Sequence, residues 1–161
     1  DAQAAKVALR RGFEVIDEGS DQGLTEAVKR GIRVCGDRGA SSLAVIPGDI
    51  PLLTPDDIDS VMEHGMKHDV VIVPSWDSRG TNTVLLEPPD VLPLRFGSWS
   101  FFPHVKAAKQ AGLSYKVLRL ERVALDVDTP EDLARLMPKA MGTHSYSAFE
   151  DMGLLAKLAH Q

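Results

Sequence analysis

Three aspartates carry the clearest chemical signal in the chain. Asp49 lies in Pro47-Gly48-Asp49-Ile50-Pro51-Leu52-Leu53, between two prolines that fix the local path. It follows Ser42–Ile46, an apolar run that reads as a central strand buried on both faces. That places one carboxylate at the carboxyl end of a strand, where open α/β sheets bind ligands. A residue that merely caps a turn would look the same. Asp126 and Asp128 stand at i and i+2 in Leu125-Asp126-Val127-Asp128, and in an extended segment such side chains share a face. Two like charges so placed need a cation or a proton to offset them. Hard oxygen ligands at this spacing suit Mg²⁺, which takes a few carboxylates and completes its octahedron with water and phosphate oxygens. The alternative is that Asp128 reinforces the cap of the next helix while Asp126 is solvated.

Two further stretches could supply donors to an anion. Gly80-Thr81-Asn82-Thr83 puts hydroxyl and amide groups at a strand entrance, or forms an Asn-containing turn. Gly97-Ser98-Trp99-Ser100-Phe101 ends a long loop and starts a helix. With Ser98 or Ser100 as cap, that helix start would present free N–H groups to a phosphate; a plain N-cap is the other reading. His104, one turn into the helix, reads as a satisfied, half-buried histidine rather than a ligand, although it could face a bound anion.

The elements that must position these groups alternate. Helix is expected over 2–11, strand over 13–16, helix over 23–35 and strand over 42–46. A helix over 55–67 follows, opened by Thr54, Pro55 and Asp57 in a capping design, and then strand over 70–73. That alternation implies a parallel sheet covered on both faces. Residues 82–86 read as strand, 88–98 as a long irregular loop with three prolines, and 100–111 as helix. Segments 115–120 and 124–127 read as extended. Thr129-Pro130-Glu131-Asp132 repeats the cap of residues 54–57 and opens a helix over 130–137. The recurrence reads as one N-cap solution used twice, not as an internal repeat. Residues 142–147 read as a linker before a terminal amphipathic helix over 148–159, packed on the body or on a partner. The domain division is therefore 1–140 for the core and 141–161 for the linker and helix.

The totals exclude several classes. A chain of 161 residues suits one domain, burying roughly 70% of its extended surface. Net charge is −5 with scattered basic residues, so neither duplex nucleic acid nor an acidic membrane surface is an expected partner. No apolar run approaches the ~20 residues of a bilayer span, and no signal-peptide pattern opens the chain. The single cysteine, Cys35, forms no internal disulfide and has no zinc-ligand spacing around it. A buried inert thiol on a helix and a cytoplasmic location follow as expectations. Neither glycine-rich phosphate-loop pattern occurs.

In combination, Pro47–Leu53, Gly80-Thr81-Asn82, Phe96-Gly97-x-x-Ser100-Phe101 with His104, and Leu125–Leu133 resemble the 2-phospho-L-lactate or phosphoenolpyruvate guanylyltransferase family, which makes the first intermediate of the deazaflavin redox coenzyme. The resemblance runs from about Gly12 to Met137. It implies a Rossmann-like nucleotidyltransferase fold, a three-layer α/β/α sandwich with a mainly parallel sheet and one reversed strand. It implies a reaction in which a phosphorylated three-carbon acid (2-phospholactate, phosphoenolpyruvate or 3-phosphoglycerate) attacks the α-phosphorus of GTP and expels pyrophosphate. By position, Asp49, Asp126 and Asp128 would hold two Mg²⁺ ions, and Thr81, Gly97 and Ser100 would bind the carboxylate and phosphate of the acceptor. Where the family carries Gly-Leu-Asn, this chain has Gly23-Leu24-Thr25. Family members also begin with a strand and a basic loop around the triphosphate. A molecule starting at Asp1 is therefore expected to bind GTP weakly or not at all.

Two rivals remain. Asp126-Val127-Asp128-Thr129 comes near the D-x-D-x-T nucleophile motif of haloacid-dehalogenase-like phosphatases, with its threonine one position early, although there the motif sits on an early strand. A truncated, non-catalytic relative kept as a binding module is the other. The expected partners are GTP and a small phosphorylated carboxylic acid, and the oligomeric state stays open, a homodimer included.

Overall fold

A computed structural model describes residues 2–17 and 19–154. Four strands form one sheet: β1 (Leu43–Val45), β2 (Val70–Pro74), β3 (Thr81–Leu86) and β4 (Tyr115–Val117). Their order is β1-β3-β2-β4. β3 runs antiparallel to both β1 and β2, and β2 runs parallel to β4. Three strands thus share a direction and β3 is the reversed one, as the resemblance implied.

The helices are α1 (Ala2–Arg10), α2 (Leu24–Asp37), α3 (Pro55–Gly65), α4 (Phe101–Gln110), α5 (Pro130–Leu136) and α6 (His144–Asp151), with a 3₁₀ turn at Met137–Lys139. α2 and α4 cover one face of the sheet: Val28, Ile32, Phe101, Val105 and Ala108 pack with Val70, Ile72, Val84 and Leu86. α3 covers the other, with Val61 against Val71, Val73 and Leu85. Sheet residues alternate between the two clusters, as period-2 geometry requires. β2 and β3 are buried at every position. The third layer continues into Leu52, Leu125, Leu136 and Ala140, joined by Tyr146 and Phe149 of α6.

Close approach decides one residue type. A Cβ at Gly65 would lie 2.6 Å from a Leu85 methyl on β3, so any larger residue there would have to displace the buried Leu85 side chain for the end of α3 to rest on the sheet.

Several expectations are corrected. Residues 13–16 form no strand and lie exposed. β1 is a half-buried outer strand paired with β3 alone among the described residues, not a central one. The expected extended segment 115–120 forms regular strand only over Tyr115–Val117, with the Leu118 N–H still bonded to the Ile72 carbonyl at 2.9 Å. Ala124 falls in a turn, its carbonyl accepting from the Trp76 N–H at 2.8 Å. The segment 142–147 is not a linker: Thr143 caps α6, its hydroxyl accepting from the Tyr146 N–H at 3.1 Å, so the helix begins at His144. The expected continuation over 155–159 lies outside the described residues. Cys35 is free and only half-buried. Among the described residues no helix is long and apolar enough to cross a membrane.

Candidate active site

The tight β2–β3 turn fixes one wall of the main cavity. Ser75 donates its hydroxyl to Asp77 Oδ1 at 2.7 Å, and its oxygen accepts from the Gly80 N–H at 2.8 Å. A Cβ at Gly80 would sit 3.2 Å from that hydroxyl, which accounts for glycine there. Immediately after the turn, β3 carries a bulge: Val73 opposes Thr83 while Pro74 opposes Thr81, so Asn82 is the extra residue. Strict alternation from Leu85 would point Thr81 toward the α3 side and Asn82 toward the α4 side. The bulge reverses both, as such insertions do. Thr81 Oγ1 lies 3.0 Å from His104 Nδ1 on α4, and the Asn82 amide donates to the Val123 carbonyl at 3.0 Å on the opposite side.

The Asn82 amide also lies near the carboxylate of Asp126 and favours its charge. Burial pushes the Asp126 carboxyl above its ordinary range and the nearby charges of Asp128 and Asp132 push the same way, against the influence of Asn82. Its charge is therefore under-compensated. Asp132 behaves oppositely. Although burial opposes ionisation, bonds from Thr129 and Trp76 hold it below the usual carboxylate range. Its Oδ2 accepts from the Thr129 N–H and hydroxyl at 2.9 and 2.7 Å, and its Oδ1 from Trp76 Nε1 at 3.0 Å. The helix cap thus anchors an aromatic wall, and the guanidinium of Arg135 stacks 3.7 Å over the same indole. Thr129, the threonine of the phosphatase-like stretch Asp126–Thr129, is consumed by this cap.

All six residues singled out from the sequence line one cavity of about 790 Å³: Asp49, Asp126 and Asp128 with Thr81, Gly97 and Ser100. Asp49 and Asp128 are exposed and Asp126 is half-buried. Among the described residues no group of three or more His, Cys, Asp or Glu side chains is gathered closely enough to hold a metal ion. The three aspartates therefore share a cavity without forming a ready-made ligand cluster. Their donor set, carboxylate oxygens only, is what Mg²⁺ accepts.

The helix start at α4 differs from expectation. Ser100 occupies the N-cap position in helical conformation and its side chain caps nothing. The Ser100 N–H is taken by the Gly97 carbonyl and the Phe101 N–H by that of Arg79, while Pro103 has no N–H. Few amides remain for an anion, so the side chains of Thr81 and Ser100 are the better donors. His104 is not half-buried but fully buried, 2% exposed, and stands behind Thr81 rather than in the cavity. Thr25, at the position where the family carries Asn, accepts from the Phe96 N–H at 3.1 Å and so ties α2 to the Gly97 loop.

Sequence reasoning overlooked the charge balance of this cavity. Among the described residues Asp49, Asp77, Asp126, Asp128, Glu131 and Asp132 line it, against one cation, Arg79. Arg79 stacks 4.9 Å over the Trp99 ring and faces Asp77 at 3.5 Å. Its place beside Gly80-Thr81 was the available signal.

The sequence model of the family described as guanylyl transferase CofC like matches residues 2–161. The chain belongs to this family. Among curated relatives of this CofC-like chain, a 2-phospho-L-lactate guanylyltransferase of Methanothermobacter thermautotrophicus is 33% identical over 90% of the chain and 64% of its own length. Phosphoenolpyruvate guanylyltransferases of Rubrobacter xylanophilus and Conexibacter woesei are 40% and 38% identical, over 71% and 84% of the chain and 56% and 62% of their own lengths. The chain thus spans under two thirds of the length of these three relatives. A solved structure from Desulfovibrio desulfuricans G20, named for nucleotide-diphospho-sugar transfer, superposes with a TM-score of 0.69. It is 21% identical, over 86% of this chain and 64% of that one, and it supports the Rossmann-like fold alone.

Proposed function

We propose that this chain carries the acceptor half of a guanylyltransferase site, in which a small phosphorylated carboxylic acid is joined to GMP from GTP. One observation carries the reading: the aspartates at 49, 126 and 128 and the donors Thr81, Gly97 and Ser100 come from four separate segments yet line a single cavity. Its size, about 790 Å³, falls within the range of small-ligand sites.

The chemistry needs little from the protein beyond placement. A phosphate monoester is mostly dianionic at neutral pH, its second pKa being about 6, so the nucleophile needs no general base. One of its oxygens would bond to the α-phosphorus of GTP. The bond from that phosphorus to the bridging oxygen breaks, and pyrophosphate leaves with the electron pair. The difficulty is electrostatic: two polyanions must meet in a cavity that, among the described residues, carries six carboxylates and one guanidinium. Mg²⁺ held by Asp49, Asp126 and Asp128 would supply the missing positive charge and align the phosphates. On the protein side, Thr81 and Ser100 would donate to the acceptor's oxygens, the Gly97 backbone would leave room for them, and Arg79 would pair with its carboxylate.

The deciding experiment is pyrophosphate release by the purified protein with GTP and Mg²⁺, run against 2-phospholactate, phosphoenolpyruvate and 3-phosphoglycerate in turn. Release dependent on one acid is expected. No release with any of the three, from folded protein shown to include its natural N-terminus, would overturn the reading.

A further inference from the structure

Behind the proposed acceptor subsite lies a buried imidazole whose proton can be placed from its partners. The Arg95 N–H donates to His104 Nε2 at 3.1 Å. A backbone N–H can only donate, so Nε2 is unprotonated. Burial also pushes the His104 pKa below its ordinary value, which keeps the ring neutral. The one ring proton is therefore on Nδ1, 3.0 Å from Thr81 Oγ1, and Thr81 accepts it. A hydroxyl that accepts from a neighbour keeps its own proton to donate elsewhere, and Thr81 lines the cavity.

The same ring reaches the rest of the subsite. Its Nε2 contact fixes the backbone at Arg95. Phe96 packs edge-on against it at 5.6 Å and 71°, and Gly97 follows at φ +148°. The His104 N–H donates to the Ser100 carbonyl at 3.1 Å. One buried side chain is thus tied to Thr81 and to the 95–97 loop, while the link to Ser100 is the ordinary helical bond of the His104 backbone.

We propose that His104 is the positioning residue of the acceptor subsite: without touching substrate, it turns the Thr81 hydroxyl into an outward donor and pins the 95–97 loop. The inference rests on the guanylyltransferase reading for its consequence, but not for the proton's location.

Two arms test it. In nitrogen NMR of histidine-labelled protein at neutral pH, His104 should show a protonated Nδ1 and a bare Nε2; the opposite tautomer, or an imidazolium, overturns the proposal. In the pyrophosphate assay, His104→Gln keeps an acceptor near the Arg95 N–H but loses the donor to Thr81. His104→Asn does the reverse. We expect His104→Gln to raise the acceptor-acid KM about tenfold, the worth of one hydrogen bond to a charged group. The GTP KM should stay within about twofold, and His104→Asn should retain most of the acid affinity. Thr81→Val should match His104→Gln, and combining the two should cost no more than either alone. Parallel loss for both substrates, or an unchanged acid KM, overturns the positioning role. If wild-type protein with its natural N-terminus releases no pyrophosphate, the guanylyltransferase reading fails, and the NMR arm decides the inference by itself.

Discussion

Asp126 is the residue whose surroundings most oppose the charge it must carry. Burial and the neighbouring Asp128 and Asp132 raise its pKa, so in the absence of cations its ionisation costs stability as pH rises through that raised value. Removing the charge should relieve the fold and disable the chemistry. In EDTA at neutral pH, Asp126→Asn is expected to melt no lower than wild type, and up to about 2 °C higher. Pyrophosphate release should fall by about 10³-fold, the scale seen when an electrostatic stabiliser is removed. A thermal melt and the pyrophosphate assay check the two halves; a clear drop in Tm would show that Asp126 is structural. That Asp126, Asp128 and Asp49 belong together was suggested by residue type and spacing, and Thr81, Gly97 and Ser100 were added by the family resemblance; the structure shows that all six line one cavity. The aim of Thr81 and Asn82 was not legible in the sequence. It depends on a one-residue bulge, and although Pro74 and Gly80 flank that bulge, the pairing of Val73 with Thr83 exists only once β2 and β3 meet.

At the scale of elements, the two Thr-Pro-x-Asp starts show how much a cap can carry. Read from sequence, both were N-caps and no more. In the structure each capping carboxylate also holds a distant side chain: Asp57 accepts from Arg122 Nε and a terminal guanidinium nitrogen at 2.9 and 2.8 Å, and Asp132 from Trp76. Those partners lie 65 and 56 residues away in sequence, so local pattern could not reveal them. Core strand β2 was legible because its apolar run over Val70–Val73 is unbroken, and β3 because Val84-Leu85-Leu86 follows a turn-rich loop. The expected strand at 13–16 failed because short apolar runs carry no information about a pairing partner. Packing between α3 and the sheet makes its own prediction. Gly65→Ala places a methyl against Leu85, and overpacking of this kind should destabilise the fold by about 1–3 kcal/mol. Chemical denaturation would measure it, and an unchanged midpoint would mean that Leu85 has room to yield.

At the scale of the whole molecule, acid stability should follow the two capping aspartates. For Asp57, burial opposes ionisation, but bonds from Arg122 and Thr54 outweigh it and hold the pKa below the usual range; Asp132 is lowered likewise. A depressed carboxylate gives stability that is fully present above its unfolded value, about 3.9, and is lost as pH falls through its folded value. Asp57→Asn should therefore cost about 2 kcal/mol at pH 7, from the cap and the charge-assisted bonds. That deficit should shrink as pH falls below the unfolded value and through the lowered folded one, where wild type loses the same charge. Melting curves across pH would show it, and a pH-independent deficit would assign the loss to packing.

Both tryptophans of the chain, Trp76 and Trp99, stand in the walls of the main cavity, each with a guanidinium over its ring. The molecule therefore carries its own optical probes. Intrinsic fluorescence, which in most proteins averages over remote indoles, here originates at the site itself, so ligand titrations can be followed in unlabelled protein.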